Sequence, residues 1–425
     1  MVFLSELPSE ILEQIFEYCK ILPLTLVCQK FSDVIDKSPK LMKKLELIYS
    51  EKFDPVKVAE SKRKYQSIHF KFNYKINKEC LEVLTRFNFK SLQLVRCIID
   101  AQLFLQFLES LPNLETLLIF TTHLKNKDNF KLSDPPTRRL KYFNYRNSDI
   151  GFLAYLKNSK IKKFSTSPAF QYPIEATTNF IRDHSEISFI DPLLVNQIDD
   201  SLLICLAQNM KNLTKLYIHD TLKMEVVRNL ELTNTTVQHL IIYSEPQEGG
   251  AFNFIVGIFR GVKILEIEMN QYLEEAKILR LQQQLPSLES LSIIDCSGDY
   301  FQHLQLRNLK HLTLNDGNFT SDDWVTMANR NPSLESIILK DESMTDETFR
   351  TICVEFMKLK HFEMFYDPQR LTSEILNFIS DQNFPRNIRF LKVTPRNRKT
   401  QGSFTFNAFQ KRSLNSNLGF QLFCI

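Results

Sequence analysis

Glycine is scarce in this chain, 9 of 425 residues, against roughly 7% in ordinary proteins. Gly249, Gly250, Gly257 and Gly261 fit neither GxGxxG nor the phosphate-loop pattern, which excludes nucleotide binding through a glycine-rich turn. The eight cysteines (19, 28, 80, 97, 205, 296, 353 and 424) never approach CxxC spacing, so no zinc site is expected. They read as small apolar side chains rather than catalytic thiols. The eight histidines are dispersed, with no HExxH, and the pair His303/His311 faces different parts of one segment. No cationic segment followed by an apolar core opens the chain, and no apolar run reaches the roughly 20 residues that cross a membrane. These absences exclude a catalytic centre, a cofactor and a membrane anchor. They place the chain in a reducing compartment, cytosol or nucleus, where the triplets at Asn212, Asn234 and Asn318 are chance matches to a glycosylation signal.

Acid is missing from one end. From Gln382 to Ile425 there are eight Lys or Arg and no Asp or Glu, so with a formal total of +4 the remainder carries 4 − 8 = −4. A single basic terminal segment on an acidic body is a poor footprint for nucleic acid. Residues 395–425 read as a terminal strand near Phe404–Phe406 and a capping tail.

What the chain does have is a repeat. Leu285–Cys296, LPSLESLSIIDC, sets apolar residues in the order LxxLxxLxIxxC, the leucine-rich-repeat signature. Leu291–Ser292–Ile293 alternates with period 2, which predicts a short strand with one buried face. Taking the first apolar residue of each such pair as a marker gives Ile68, Leu92, Leu117, Phe143, Phe164, Ile187, Leu216, Leu240, Leu265, Leu291, Leu312, Ile337, Phe362 and Leu391. Thirteen steps across 323 residues average about 25, inside the roughly 20–29 of this class. Cys97 and Cys296 share one repeat position and are expected to be buried and inert.

Helical segments follow most strands, among them Asn77–Phe87, Leu103–Leu111, Ile150–Leu156, Leu202–Met210 and Leu273–Leu285. Ser321, Thr345 and Thr372 each precede acids in a first turn, as hydroxyl caps do. Strands about 4.8 Å apart facing helices about 8–10 Å apart bend each step by about 20–25°. The expected fold is α/β: a horseshoe with a parallel inner sheet and outer helices over residues 65–394.

Residues 1–48 break the repeat phase and read as three helices. Leu7, Leu12, Ile11, Ile15 and Phe16 make one apolar stripe with Pro8 at its start; Pro23 opens a second helix with Leu24, Val27, Cys28 and Phe31. Ser38–Pro39 cap a third, with Leu41, Met42, Leu45 and Ile48 on its buried side. Residues 49–64, with Lys52, Lys57, Lys62, Arg63 and Lys64, read as a basic helical connector whose charges form a solvated face.

LPSEILEQIF followed by LVCQKFSDVI resembles the F-box pattern LPxEILxxIF…LVCxxW/FxxVI over residues 4–48. The connection Glu17–Leu26 is shorter than is common in that family and lacks its Asp-Leu pair, and Phe31 stands where many members have Trp. With its repeats the whole chain resembles an F-box/leucine-rich-repeat protein. The resemblance implies a non-catalytic substrate receptor of an SCF-type ubiquitin ligase, docked on a SKP-type adaptor and through it on a cullin–RING core. It assigns docking to Leu7, Pro8, Ile11, Leu12, Ile15, Phe16, Val27, Cys28 and Phe31. A scaffold acting outside a ligase is the alternative.

Substrate choice belongs on the concave sheet face, at the residue between the paired apolar positions and the one after them. That phase places Tyr217, His219, Ile241, Tyr243, Glu266 and Glu268 on consecutive strands, and Lys340 and Phe365 further along. Aromatics and glutamates clustered on a rigid sheet suit a protein segment with basic or hydrogen-bond-donating groups.

Overall fold

The computed structural model describes residues 4–20, 27–49, 54–61, 63–71, 78–126, 138–157, 159–167, 174–193, 200–220, 232–244, 250–269, 275–294, 303–315, 317, 319–340, 344–366, 374–381, 384–395 and 404–407. They form two compact units, Met1–Asn196 with Asn209–Asn212, and Gln197–Gln208 with Leu213–Ile425. Each is a mixed α/β body with a parallel sheet and helices.

In the first unit β1 (Glu46–Tyr49), β2 (Ser67–Lys71), β3 (Ser91–Val95), β5 (Thr116–Phe120), β7 (Tyr142–Arg146), β8 (Lys163–Ser167) and β9 (Phe189–Leu193) pair in that order, all parallel. The short strands β4 (Ile98–Asp100) and β6 (His123–Lys125) make a second, two-stranded sheet. The markers fall in one register, Ile68↔Leu92↔Leu117↔Phe143↔Phe164, so one buried row stacks along the unit. Its core is rich in aromatics: Phe164 and Phe180 lie 5.9 and 5.7 Å from Phe143, and Phe104 meets Phe152 edge-on at 5.0 Å.

The chain leaves these strands through left-handed residues, Arg96, Thr121 and Asn147, with φ of 52°, 49° and 44°. The next side chains, Cys97, Thr122 and Ser148, turn inward as a ladder. Ser148 Oγ accepts from Thr122 N at 3.0 Å, Thr122 Oγ1 from Cys97 N at 3.4 Å, and Cys97 Sγ reaches Phe70 O at 3.6 Å. Cys97 is fully buried, and burial pushes its thiol up to about 11. Cys296 lies outside the described residues. Cys205 and Cys353 are buried, whereas Cys28 is half-buried and Cys19 exposed, unlike the small buried side chain expected there.

In the second unit β10 (Lys215–Asp220), β11 (His239–Ser244), β12 (Ile264–Met269), β13 (Ser290–Ile294), β14 (His311–Asn315), β15 (Ser336–Lys340), β16 (His361–Tyr366) and β17 (Phe390–Pro395) are parallel neighbours. β18 (Phe404–Asn407) pairs antiparallel with β17. Here the markers run Leu216↔Leu240↔Leu265↔Leu291↔Leu312↔Ile337↔Phe362↔Leu391, without a slip. Buried asparagines six residues before the markers lock successive turns. Buried Asn331 donates to Leu304 O at 2.8 Å and to Met327 O at 3.1 Å while accepting from Leu306 N at 2.8 Å, and Asn234 acts similarly on Leu206 and Ala207.

Several local expectations change. Phe164 pairs with Ile190, not Ile187, so the marker of that repeat is Ile190 and the irregular steps become 26 and 26. Ile187 is buried three residues earlier, where Leu213 and Val237 stand in later repeats. His184 then takes the repeat position of Asn234 and Asn331, six residues before the marker, its ring nitrogens at 2.7 Å from Phe180 O and 2.9 Å from Leu156 O. Residues 1–48 are not all helical: the third helix stops at Met42, and Glu46–Tyr49 is strand β1, which leaves Ile48 36% exposed. Extended backbone there gains ladder bonds to β2 that a further helical turn would forgo. The cap before Trp324 is Thr320, not Ser321, in a reciprocal capping box with Asp323, while Thr345 caps as expected. Thr372 and the tail past Asn407 lie outside the described residues.

Candidate protein-binding surfaces

The N-terminal helices build a closed small core. Helices α1 (Ser9–Phe16), α2 (Gln29–Lys37) and α3 (Pro39–Met42) pack Leu12, Phe16, Phe31, Val34, Ile35, Leu41, Met42 and Leu45 together. The Phe16 and Phe31 rings meet edge-on at 4.9 Å. Pro8 is the N-cap of α1 rather than its first residue, and α2 opens at Gln29 behind Cys28, so Val27 and Cys28 precede it. Ser38 caps α3 by accepting from Leu41 N at 3.2 Å, with Pro39 in the first turn. Arg63, read from sequence as part of a solvated basic face, is a tether: its guanidinium reaches Asp36 and Ser32 of α2, each at 3.0 Å.

This packing divides the nine residues assigned by the resemblance. Leu12, Phe16 and Phe31 are interior and shape the module from within. Leu7, Ile15 and Cys28 are half-buried against that core. Pro8, Ile11 and Val27 face outward, Ile11 at 41% and Val27 at 61% exposure, and Leu4 is likewise exposed at 45%. A small domain keeps branched apolar side chains this exposed in one segment at the cost of ordering water, which a partner surface would release.

The second surface is the sheet face of the second unit, opposite its core. Register places Tyr217, Ile241 and Glu266 in one row, and His219, Tyr243 and Glu268 in the next. These six residues therefore stand on three adjacent strands spanning about 10 Å. Tyr217, Tyr243, Glu266 and Glu268 are half-buried, Ile241 is buried at 7% exposure, and the His219 side chain lies outside the described residues. Among the described residues Glu268 meets no basic group. Lys340 and Phe365 share the second row and pair with each other, but β15 is three strands from β12, about 14 Å away. They do not join the cluster.

The sequence reading missed the row that precedes the markers. His239, His311 and His361 belong to it, and the same period of 2 places them on this face. His239 Nε2 lies 2.6 Å from Glu266 Oε1. That bond, reinforced by the charges of His239 and Lys215, holds the Glu266 carboxyl below the usual range. At the far end Lys392 pairs with Glu363 at 2.7 Å, and His361 stacks on Phe390 at 4.4 Å between ring centres. Burial lowers His361, opposed by the charge of Glu363. At the strand starts Lys310 meets Glu289 at 2.8 Å and Lys360 meets Glu335 at 2.7 Å, each holding its carboxyl low.

Among the described residues no group of three or more His, Cys, Asp or Glu is placed to hold a metal ion, and no helix is long and apolar enough to cross a membrane. No protein-family model matches the sequence, and neither does any curated protein. Among solved structures the chain is similar to one described as the crystal structure of the Rad7 and Elc1 complex in yeast. That likeness covers 78% of this chain and 88% of the other at 14% identity and a TM-score of 0.36, too low to carry any argument about function.

Proposed function

We propose that this chain is the substrate-recognition subunit of an SCF-type ubiquitin ligase. The helical module docks a SKP-type adaptor, and the sheet face of the second unit binds the protein to be ubiquitinated. The reading rests on the F-box-like sequence of residues 4–48. The observation that carries it is the outward set Leu4, Pro8, Ile11 and Val27 over a core closed by Leu12, Phe16 and Phe31. In this reading the chain catalyses nothing. It raises the local concentration of substrate lysines near a thioester held by separate subunits, in the cytosol or nucleus. The acid-and-tyrosine cluster on β10–β12 receives a basic segment of the substrate, with Glu268 as its open carboxylate.

The test is co-purification of the full chain with adaptor and cullin. Ile11→Asp with Val27→Asp is expected to abolish adaptor capture while far-ultraviolet circular dichroism stays unchanged, because both side chains are already exposed and a buried interfacial charge costs several kcal/mol (about 2–5). Leu7→Asp is a poorer probe, since Leu7 packs on the module's own core. Capture that survives the double substitution would refute the docking face. Adaptor recovered without cullin would instead indicate a scaffold outside a ligase.

A further inference from the structure

The sheet face of the first unit carries two exposed cations that meet no carboxylate among the described residues. On β7, Arg146 lies over the Phe120 ring of β5, its Cζ 5.7 Å from the ring centre, and its Nε donates to Asn144 Oδ1 at 3.2 Å. On β8, Lys163 holds its Nζ 5.3 Å from the ring centre of Phe189 in β9. Both cations are exposed, and among the described residues neither meets a carboxylate. The contact with a ring face steadies each side chain but leaves the forward N–H groups of Arg146 and the ammonium of Lys163 free to donate.

Between the two cations the face is polar and close-packed. Asn144 is buried, and its Nδ2 donates to Tyr142 Oη at 3.1 Å. Ser165, one strand over and opposite Asn144, is 1% exposed, and its Oγ has no hydrogen-bond partner. An orphaned buried hydroxyl is rare in a folded protein and calls for a group the described chain does not supply.

We propose that this face binds an extended acidic segment of another protein. Register fixes the geometry: Tyr142 pairs with Lys163 and Arg146 with Ser167, so the cations stand on neighbouring strands at opposite ends, four residues apart. That is about 13 Å along the strand direction. A segment lying parallel to the strands presents side chains i and i+4 on one side at the same spacing. Two carboxylates so placed meet Arg146 and Lys163 together, and the polar groups of Asn144 and Ser165 lie under the backbone between them. Two cations at this separation are too few and too sparse for a nucleic-acid track. The inference does not depend on adaptor docking or on the second unit's face.

The probe is a fluorescein-labelled peptide of Ser, Thr and Val carrying Glu at i and i+4, titrated against the full chain by anisotropy at low ionic strength. Saturable binding is expected. Arg146→Gln with Lys163→Gln should weaken it about tenfold or more, and replacing the peptide's glutamates by Gln should do the same on the unaltered protein. No binding up to about 1 mM peptide, unchanged affinity in the double variant or with the Gln peptide, or full displacement by a single-stranded RNA oligonucleotide would each overturn the proposal.

Discussion

The two units share a register rule and use it differently. In the second unit the charges of the open face are mostly paired among the described residues, His239 with Glu266, Lys392 with Glu363, and lysine with glutamate at the strand starts, with Glu268 left open. In the first unit the corresponding rows bury His69, Asn144 and Ser165 and leave Arg146 and Lys163 without carboxylates among the described residues. Buried Leu and Ile are common to both cores; the first adds Phe70, Phe104, Phe107, Phe143, Phe152 and Phe164, and the second Phe252, Phe259, Trp324, Phe349 and Phe362. A repeat array fixes where side chains project; residue choice within each row decides whether a face is complete or lacks a counter-charge.

The largest expected break in this comparison is Phe143→Ala. Its ring joins Phe164 and Phe180, so its loss should cost the first unit about 3–5 kcal/mol. Hydrogen exchange is expected to rise in the first unit and stay unchanged in the second; equal loss in both would show that they unfold as one. Next is Asn331→Ala, which strands Leu304 O and Leu306 N in the second unit. A loss of about 1–3 kcal/mol in urea unfolding is expected. Tyr217→Ala with Tyr243→Ala should lower stability by less than either, about 1 kcal/mol, yet remove substrate capture while adaptor capture persists. Undiminished substrate would move the site off β10–β12.

The smallest effect is a pH dependence. Because the folded state lowers the Glu266 pKa, its contribution to stability is complete above the ordinary carboxylate value of about 4.3 and is lost as pH falls through the folded value. His239→Gln should flatten that acid-side loss. Glu266 keeps 39% of its side chain exposed, so after solvent screening the change stays below about 1 kcal/mol. A steeper acid-side loss in the variant would contradict the pairing.

Much of this architecture was legible because the buried row is chemically uniform. Leu, Ile and Phe at the markers, two residues apart, fix the strand, its inward face and its neighbour together. The reading failed where that chemistry repeats out of place. Ile187 is as apolar as a marker but sits three residues early, and only hydrogen bonding distinguishes it from Ile190. At Leu45–Ile48 helical spacing continues past Met42, yet a neighbouring strand offers backbone partners that local sequence cannot reveal. The tyrosine and glutamate rows followed from period 2, whereas the His239–Glu266 pair required knowing which strands adjoin. The helical module shows the same limit: its motif marks nine positions alike, and only packing separates interior Phe16 and Phe31 from outward Ile11 and Val27.

The reversed direction of β18 has a consequence for how such a chain can change in length. Along β10–β17 every strand offers its successor the same parallel template, so an added or deleted repeat in the middle leaves both flanking registers intact. Past β17 the template ends, because Leu391 faces Phe406 and Val393 faces Phe404 in antiparallel order. A further repeat there would pair with a strand running the other way, so the parallel series of β10–β17 is interrupted at β18.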